Sequence, residues 1–143
     1  MATRIALTLA ASLASGMPAS AAELPDVLQR PAEISSRAPS SALLGIARAG
    51  SRLVAVGERG IVLLSDDNGA SWRQSPAPVS VSLTAVQFVD ARRGWAVGHC
   101  GVVLASTDGG ATWSLRLDGV KAARLAQQAT AQSQDAERMV RTF

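Results

Sequence analysis

Two octets of the sequence bring carboxylates, hydroxyl groups and an indole together at the same spacing. The first is SDDNGASW, from Ser65 to Trp72, and the second is STDGGATW, from Ser106 to Trp113. Carboxylates near hydroxyl groups are residue types that acid–base catalysis uses. Because the pattern occurs twice, the octets form either a duplicated catalytic constellation or a structural element that is used twice.

Structural roles in a turn account for the residues that the two octets share. The aspartate accepts backbone N–H groups of the residues that follow and closes an Asx-type turn. The glycine supplies the left-handed conformation that the turn requires. The tryptophan returns to the strand and covers the hairpin, while the first serine faces back towards the turn. The predicted structural residues are Ser65, Asp67, Gly69, Trp72, Ser106, Asp108, Gly110 and Trp113.

The octets belong to a longer internal repeat with an offset of 41 residues. Residues 52–72 and 93–113 are identical at 12 of 21 positions. A period near forty residues, with about four short strands in each unit, is typical of a β-propeller blade. The repeat therefore predicts an all-β fold with two four-stranded antiparallel blades, an incomplete β-propeller.

Short runs rich in Val, Ile and Leu, separated by glycines, predict the strands of each blade. The first blade, 42–75, contains predicted strands near 42–48, 52–57, 60–65 and 71–75. The second blade, 82–117, contains predicted strands near 82–89, 93–98, 101–106 and 112–117. Gly57–Gly60 and Gly98–Gly101 are predicted to be tight hairpin turns in which glycine supplies positive φ.

Three further segments flank the blades. Residues 1–21 combine Arg4, an apolar stretch too short to span a bilayer and an Ala-Ser-Ala site, and so predict a cleaved signal peptide. Residues 22–41 are rich in proline and serine and predict an irregular tether. Residues 118–143 predict a weakly amphipathic helix, from about 119 to 140, that packs on the repeats or on a partner.

Composition excludes several classes of function. The formal net charge of +3 comes mostly from scattered arginines, which is too dilute for nucleic-acid binding. The sequence has one histidine and one cysteine, His99 and Cys100, and adjacent residues at a hairpin tip rarely bind one ion. We therefore expect no metal, no cofactor and no internal disulfide, and no segment after the signal is predicted to span a membrane.

Two other features have both a structural and a binding interpretation. Trp95 lies within a predicted inner strand, which favours core packing over ligand stacking. Arg92 and Arg93, with Arg52 at the equivalent position of the first unit, form either a basic partner-binding edge or a solvated strand edge. We favour the solvated edge, because charged residues protect sheet edges from association.

The pattern S-x-D-x-G-x-[ST]-W resembles the Asp box of bacterial neuraminidase repeats, which in that family is the turn between the third and fourth strands of a blade. The segments LVAVGERGIVLLSDDNGASW and FVDARRGWAVGHCGVVLASTDGGATW are similar to the first two blades of exported propellers related to the photosystem II assembly and stability factor. The resemblance covers about residues 43–117.

This resemblance implies a non-enzymatic scaffold or assembly factor that binds a membrane-protein complex. The expected location is the periplasm, or the thylakoid lumen in a photosynthetic host. The alternative function is a sialidase-like carbohydrate-active protein. Neuraminidases use a tyrosine nucleophile, however, and this sequence contains no tyrosine. Glycoside hydrolysis also needs two carboxylates across a cleft, whereas Asp66 and Asp67 are adjacent.

Two blades are fewer than the four to eight blades with which propellers close. Open blade faces and sheet edges promote association. Three explanations follow: the chain is a truncated gene product without a function of its own, it associates with copies of itself through open blade faces, or the C-terminal helix covers an open face. Truncation is the explanation that we favour, because repeat proteins bury their cores by stacking.

Overall fold

The computed structural model describes residues 26–141, so the predicted signal peptide lies outside the described residues. Two four-stranded antiparallel sheets are followed by one helix, which confirms the predicted all-β architecture of two blades. Blade 1 consists of β1 (Leu43–Ala49), β2 (Arg52–Gly57), β3 (Val62–Ser65) and β4 (Arg73–Ser75). Blade 2 consists of β5 (Leu83–Phe88), β6 (Gly94–Gly98), β7 (Val103–Ser106) and β8 (Ser114–Leu117), and the helix is α1 (Gly119–Arg141).

Each blade is a meander in which every strand pairs with the next one in sequence. The registers of the two blades agree: Val54 pairs with Leu64 in blade 1, and Trp95 pairs with Ala105 in blade 2. Successive side chains of a strand point to opposite faces of the sheet. We call the face with Val54 and Trp95 the forward face of its blade, and the opposite face, with Ala55 and Ala96, the rear face.

The main core lies where the forward face of blade 1 packs against the rear face of blade 2. Val54 and Val56 are fully buried there, together with Ala96 and Leu104 of the second blade. The β-branched and aliphatic side chains of both sheets fill this interface, and burial of apolar surface at about 25 cal/mol per Å² stabilises it. Apolar residues on both faces of β2 and β3 therefore reflect burial between layers.

The segment before β1 is irregular, as the sequence indicates, but it is docked on the blades. The Ala32 N–H donates to the Ala77 carbonyl at 2.9 Å, and the Ser80 N–H donates to the Val27 carbonyl at 3.0 Å. The Gln74 side chain also binds the backbone of this segment, at Glu33 and Ser35. Ala38 is buried against the rear face of blade 1 with Ala55 and Leu63, so this segment covers part of that face.

The hairpin after β2 differs from the prediction in the position of its positive φ. Gly57 is extended, and the left-handed residues are Arg59 and Gly60, with φ of 54° and 75°. The Ile61 N–H donates to the Glu58 carbonyl at 3.0 Å and closes a two-residue turn. Glycine is needed at position 57 for a different reason, because a Cβ there would lie 2.2 Å from the Ala42 carbonyl oxygen.

Helix α1 leaves blade 2 through a capped first turn. The Lys121 N–H donates to Asp118 Oδ1 at 2.8 Å, as expected for an N-cap aspartate. The part of the helix that touches the fold is its first turn, near Gly101. Beyond Ala122, its described side chains are exposed. Of the three explanations for the two-blade chain, the one in which the helix covers an open blade face therefore does not hold for the described residues.

Substitution of Gly60 tests the close approach of the hairpin to the linker between the blades. A Cβ at Gly60 would lie 2.1 Å from the Val79 carbonyl oxygen, and its φ of +75° adds strain. Gly69, with φ of +93°, is the matched control, because a Cβ there would make only ordinary van der Waals contacts. We expect Gly69→Ala to cost about 1–2 kcal/mol, the penalty of the left-handed conformation. Gly60→Ala should lower the free energy of unfolding further, as measured by urea denaturation; equal losses would contradict the predicted contact.

Candidate functional site

The first box is a closed set of hydrogen bonds around Asp67. Ser65 Oγ donates to Asp67 Oδ1 at 2.8 Å and accepts the Gly69 N–H at 2.7 Å. The Ser71 N–H donates to Asp67 Oδ1 at 2.8 Å, and the Ser71 hydroxyl donates to Asp67 Oδ2. Both carboxylate oxygens are therefore occupied within the turn between β3 and β4.

The second box repeats this arrangement around Asp108. Ser106 Oγ donates to Asp108 Oδ1 at 2.8 Å and accepts the Gly110 N–H at 2.9 Å. Thr112 donates its backbone N–H to Oδ1 at 2.9 Å and its hydroxyl to Oδ2 at 2.6 Å. In both boxes the aspartate thus bonds the fourth residue after it, which spans a longer loop than the Asx-type turn expected from the sequence.

The tryptophan of each box closes the loop from its other side. The indole Nε1 of Trp72 donates to the Gly69 carbonyl at 3.1 Å, and that of Trp113 donates to the Gly110 carbonyl at 2.9 Å. Trp113 is 8% exposed and makes an edge-to-face contact with Phe88, at 6.0 Å between ring centroids. Trp72 is only partly buried, so the two boxes differ in how much apolar surface they bury.

Hydrogen bonding holds both box carboxylates in the ionised state. The bonds from the Ser71 side chain and backbone, with that from Ser65, lower the pKa of Asp67 to about 2. Burial opposes ionisation of Asp108, but the bonds from Thr112 and Ser106 still lower its pKa. A general acid needs a raised pKa, so neither aspartate is suited to donate a proton.

A cleft between the blades, of about 390 Å³, is lined by one carboxylate from each octet, Asp66 and Asp108. The Arg52 guanidinium contacts Asp66 at 2.6 Å, and Arg73 contacts it at 3.3 Å. The Arg52 hydrogen bond, supported by Arg73, lowers the pKa of Asp66. The cleft therefore brings two carboxylates together, but both are already bound by protein groups. Neither is available as the proton donor that glycoside hydrolysis requires.

Blade 1 holds the second box through hydrogen bonds that the sequence analysis missed. Arg52 Nη1 donates to the Gly109 carbonyl at 3.2 Å. Ser75 Oγ lies 2.8 Å from the Gly110 carbonyl and 2.9 Å from the Ala111 carbonyl. Arg52 was expected to be a solvated edge residue. It instead binds across the contact between the two blades. The recurrence of this arginine as Arg93, 41 residues later, is the feature of the sequence that could have indicated a structural role.

The prediction that Trp95 packs in the core is wrong. Trp95 is 43% exposed and Val97 is 40% exposed, because both lie on the forward face of blade 2. A shallow depression of about 320 Å³ is formed on this part of the blade. The physical reason is the position in the stack: the equivalent residues of blade 1 are covered by blade 2, and no described element covers the forward face of blade 2.

The loop between β5 and β6 forms a second cleft, of about 470 Å³, lined by Asp90, Ala91, Arg92, Arg93 and Thr107. Arg93 Nε donates to Asp90 Oδ2 at 2.7 Å. Bonds from the Arg93 and Arg92 N–H groups, with the Arg93 side chain, lower the pKa of Asp90 to about 2. Arg92 Nε donates to the Thr107 carbonyl at 3.4 Å. The arginines here are exposed and are partly satisfied within the loop.

His99 and Cys100 occupy the hairpin after β6, and both are exposed. Cys100 has a φ of 57°, as its counterpart Arg59 does in blade 1. Within residues 26–141, no group of three or more His, Cys, Asp and Glu side chains is arranged to hold a metal ion. No helix in the same part of the chain has the length and hydropathy to cross a bilayer.

Comparison with known proteins identifies what this arrangement is similar to. Residues 67–136 match the family model described as "Photosynthesis system II assembly factor YCF48". The chain is also similar to the solved structure described as "YCF48 bound to D1 peptide", with a TM-score of 0.50 and 22% sequence identity. No curated protein matches the sequence significantly.

The likeness to the solved structure covers 62% of this chain and 30% of that chain. The matched part of this chain therefore corresponds to less than a third of the length of that protein. At this level of identity the likeness shows a shared fold alone, that of propeller blades. The predicted resemblance to Asp-box propellers of the photosystem II assembly factor family is confirmed by the two comparisons together.

Truncation of the two box tryptophans should have unequal effects on stability. Trp113→Ala removes a buried indole and its contact with Phe88, and we expect a loss of about 3–5 kcal/mol. Trp72→Ala removes a partly exposed indole and should cost less. Equilibrium unfolding in urea, followed by far-UV circular dichroism, measures both losses. Equal losses, or a larger loss for Trp72→Ala, would contradict the difference in burial.

The lowered pKa of Asp67 predicts acid sensitivity. A carboxylate whose pKa is lower in the folded state than in the unfolded state stabilises the fold above the unfolded pKa, and this stability is lost as pH falls through the folded pKa. For Asp67 the window runs from about pH 4 to pH 2. We expect the thermal midpoint to fall across this window. In Asp67→Asn, which lacks the titrating carboxyl group, the fall of the thermal midpoint should be shallower. If the variant and the wild type showed the same pH profile, the role assigned to the carboxylate would be contradicted.

Proposed function

We propose that this relative of the YCF48 assembly factors is a non-enzymatic scaffold that is exported and binds a protein subunit of a membrane complex. The observation that carries the proposal is the match of residues 67–136 to the assembly-factor family, on a chain with two Asp-box blades. The related protein in the solved structure binds a D1 peptide. An extramembrane peptide segment is therefore the class of ligand that we propose for this chain.

The chemistry of the boxes supports a binding role over catalysis. Their carboxylates are held ionised by hydrogen bonds within the turns, and Asp66 is paired with Arg52. These groups organise the strand connections and the seam between the blades. Exposed groups suited to bind a partner lie elsewhere, on the forward face of blade 2 around Trp95 and in the cleft around Arg92.

The proposed location is the periplasmic face of a membrane, or the lumenal face in a photosynthetic host. The support for this location is the predicted signal peptide in residues 1–21. The proposal also includes self-association through open blade faces, since the forward face of blade 2 exposes apolar side chains. A fractionation experiment with protease protection of the tagged chain tests the location.

Cross-linking in the native host, followed by purification of the tagged chain from detergent-solubilised membranes, tests the binding function. Synthetic peptides that cover the extramembrane segments of the cross-linked subunit are then titrated against the purified chain by calorimetry. Trp95→Gln and Arg92→Gln probe the two exposed surfaces, and Gln127→Ala on α1 is the control. We expect one surface variant to weaken peptide binding at least tenfold, with the control unchanged.

Two results would overturn the proposed function. One is the absence of binding between the purified chain and every segment of the cross-linked subunit. The other is release of sugar from sialosides or related glycosides by the purified chain at a rate that Asp66→Asn or Asp108→Asn abolishes. The second result would favour the carbohydrate-active alternative, because those two carboxylates line one cleft.

A further inference from the structure

The segment before blade 1 is held on the blade in the way that a peptide ligand would be held. We call residues 33–38 the strap. The Ser35 N–H donates to Gln74 Oε1 at 2.9 Å, and Gln74 Nε2 donates to the Glu33 carbonyl at 2.8 Å. Gln74 therefore binds two backbone groups of the strap with both ends of its side-chain amide. Main-chain hydrogen bonds give affinity that does not depend on the side chains of the bound segment.

The strap buries a single small side chain. Ala38 is 1% exposed and lies in an apolar cluster with Ala55, Ile61 and Leu63, against which Trp72 also packs. The other strap residues are exposed. An apolar cluster closed around one methyl group accepts a small residue and excludes a larger or charged one, because packed interiors leave little free volume. Ala38 is therefore the position of the strap that carries specificity.

The strap can open while the segments on either side of it stay in place. Ala32, just before the strap, is fixed by the bond from its N–H to the Ala77 carbonyl, and β1 begins at Leu43 after it. The strap itself is held on the blade by the two bonds to Gln74 and by the burial of Ala38. A segment with so few buried contacts opens at a small cost in free energy.

Opening of the strap would uncover an apolar groove that already extends beyond it. Ile46, Ala55, Leu63 and Gln74 pair in turn across the four strands, and so form one row on the rear face of blade 1. The strap covers the end of the row near Gln74, whereas Ile46 at the other end is 61% exposed. The row is uncharged and has one amide at its edge. An apolar floor with a few placed polar groups is the usual composition of a ligand site.

We propose that this row is a peptide-binding groove and that the strap is its internal ligand, which a partner peptide displaces. The inference rests on the proposed function for the existence of a peptide partner, and it adds a site to the exposed surfaces around Trp95 and Arg92. The partner segment presents to Gln74 a carbonyl and, two residues later, an N–H. It carries a small residue such as alanine three positions after that N–H, and it gains contact with Ile46, which the strap leaves exposed.

The strap lowers the affinity of the groove for other peptides without changing the groove itself. Tethered ligands of this kind act at effective concentrations in the millimolar range. The apparent affinity of a site falls in proportion to the fraction of molecules in which the site is open. A peptide with the same contacts as the strap should therefore bind the wild-type chain weakly, and a substitution that expels the strap should strengthen its binding.

Nuclear magnetic resonance of the isotope-labelled full chain tests the inference, with a synthetic peptide of residues 31–42 as the probe. Ala38→Arg should expel the strap, because the cluster around this methyl group has no room for a guanidinium group. Loss of hydrogen-exchange protection at the Ser35 N–H reports the release. Ala38→Gln takes its place if thermal unfolding shows that Ala38→Arg is not folded. Ile34→Arg is the matched control, at a strap residue that is 62% exposed.

We expect the probe to shift the indole N–H signal of Trp72, and to bind Ala38→Arg at least about fivefold more tightly than it binds the wild type or Ile34→Arg. Gln74→Ala in the Ala38→Arg chain should remove this gain, because the hydrogen bonds to the peptide backbone are lost. A probe that itself carries Ala38→Arg should not bind, whereas a probe with Ile34→Arg should bind as the unchanged probe does.

The inference would be overturned if the Ser35 N–H stayed protected in both Ala38 variants, if the probe did not bind Ala38→Arg, or if it bound all the chains equally. Probe binding that Gln74→Ala left unchanged would locate the peptide elsewhere and would overturn the inference as well. Partner peptides that respond to Trp95→Gln or Arg92→Gln, on a chain whose strap fails these tests, would leave the proposed function standing.

Discussion

The hydrogen bonds accepted by one aspartate in each box are the constraint on which the blades depend. Asp67 and Asp108 each bind a serine that ends the third strand and a hydroxyl residue four positions further on. This fixes where the fourth strand begins, and with it the position of the following tryptophan. Because the carboxylates are occupied and ionised, the same bonds that make the turn exclude the aspartates from proton transfer.

The second box has a further role that the first does not have. Its backbone carbonyls face blade 1, where Arg52 and Ser75 bind them, and Trp113 is buried in the same region. The box thus connects local strand geometry to the packing of one blade on another. The first box has the same internal bonds but stays at the surface. Equivalent segments of the repeat therefore differ in burial because of their order in the stack.

Much of this arrangement could be predicted from the sequence, because the internal repeat shows which positions of the two blades are equivalent. The offset of 41 residues predicted two equivalent blades, and the two sheets of the structure have that form. The prediction failed for Trp95, whose strand is internal to its sheet but whose side chain lies on an uncovered face. It also failed for Gly57, where a backbone contact from Ala42, and not a positive φ, requires glycine. Neither the uncovered face at Trp95 nor the approach of Ala42 to Gly57 leaves a local pattern in the sequence.

The sequence alone determined the type of element, the order of the strands and the chemistry of the turns, because hydrogen bonding within a box and alternation along a strand involve residues that are close in the chain. The tertiary structure alone decided which faces are buried. Val54 and Trp95 occupy equivalent positions in the repeat, yet one is in the core and the other is at the surface. Burial depends on the neighbouring layer, and only the assembled stack defines that neighbour.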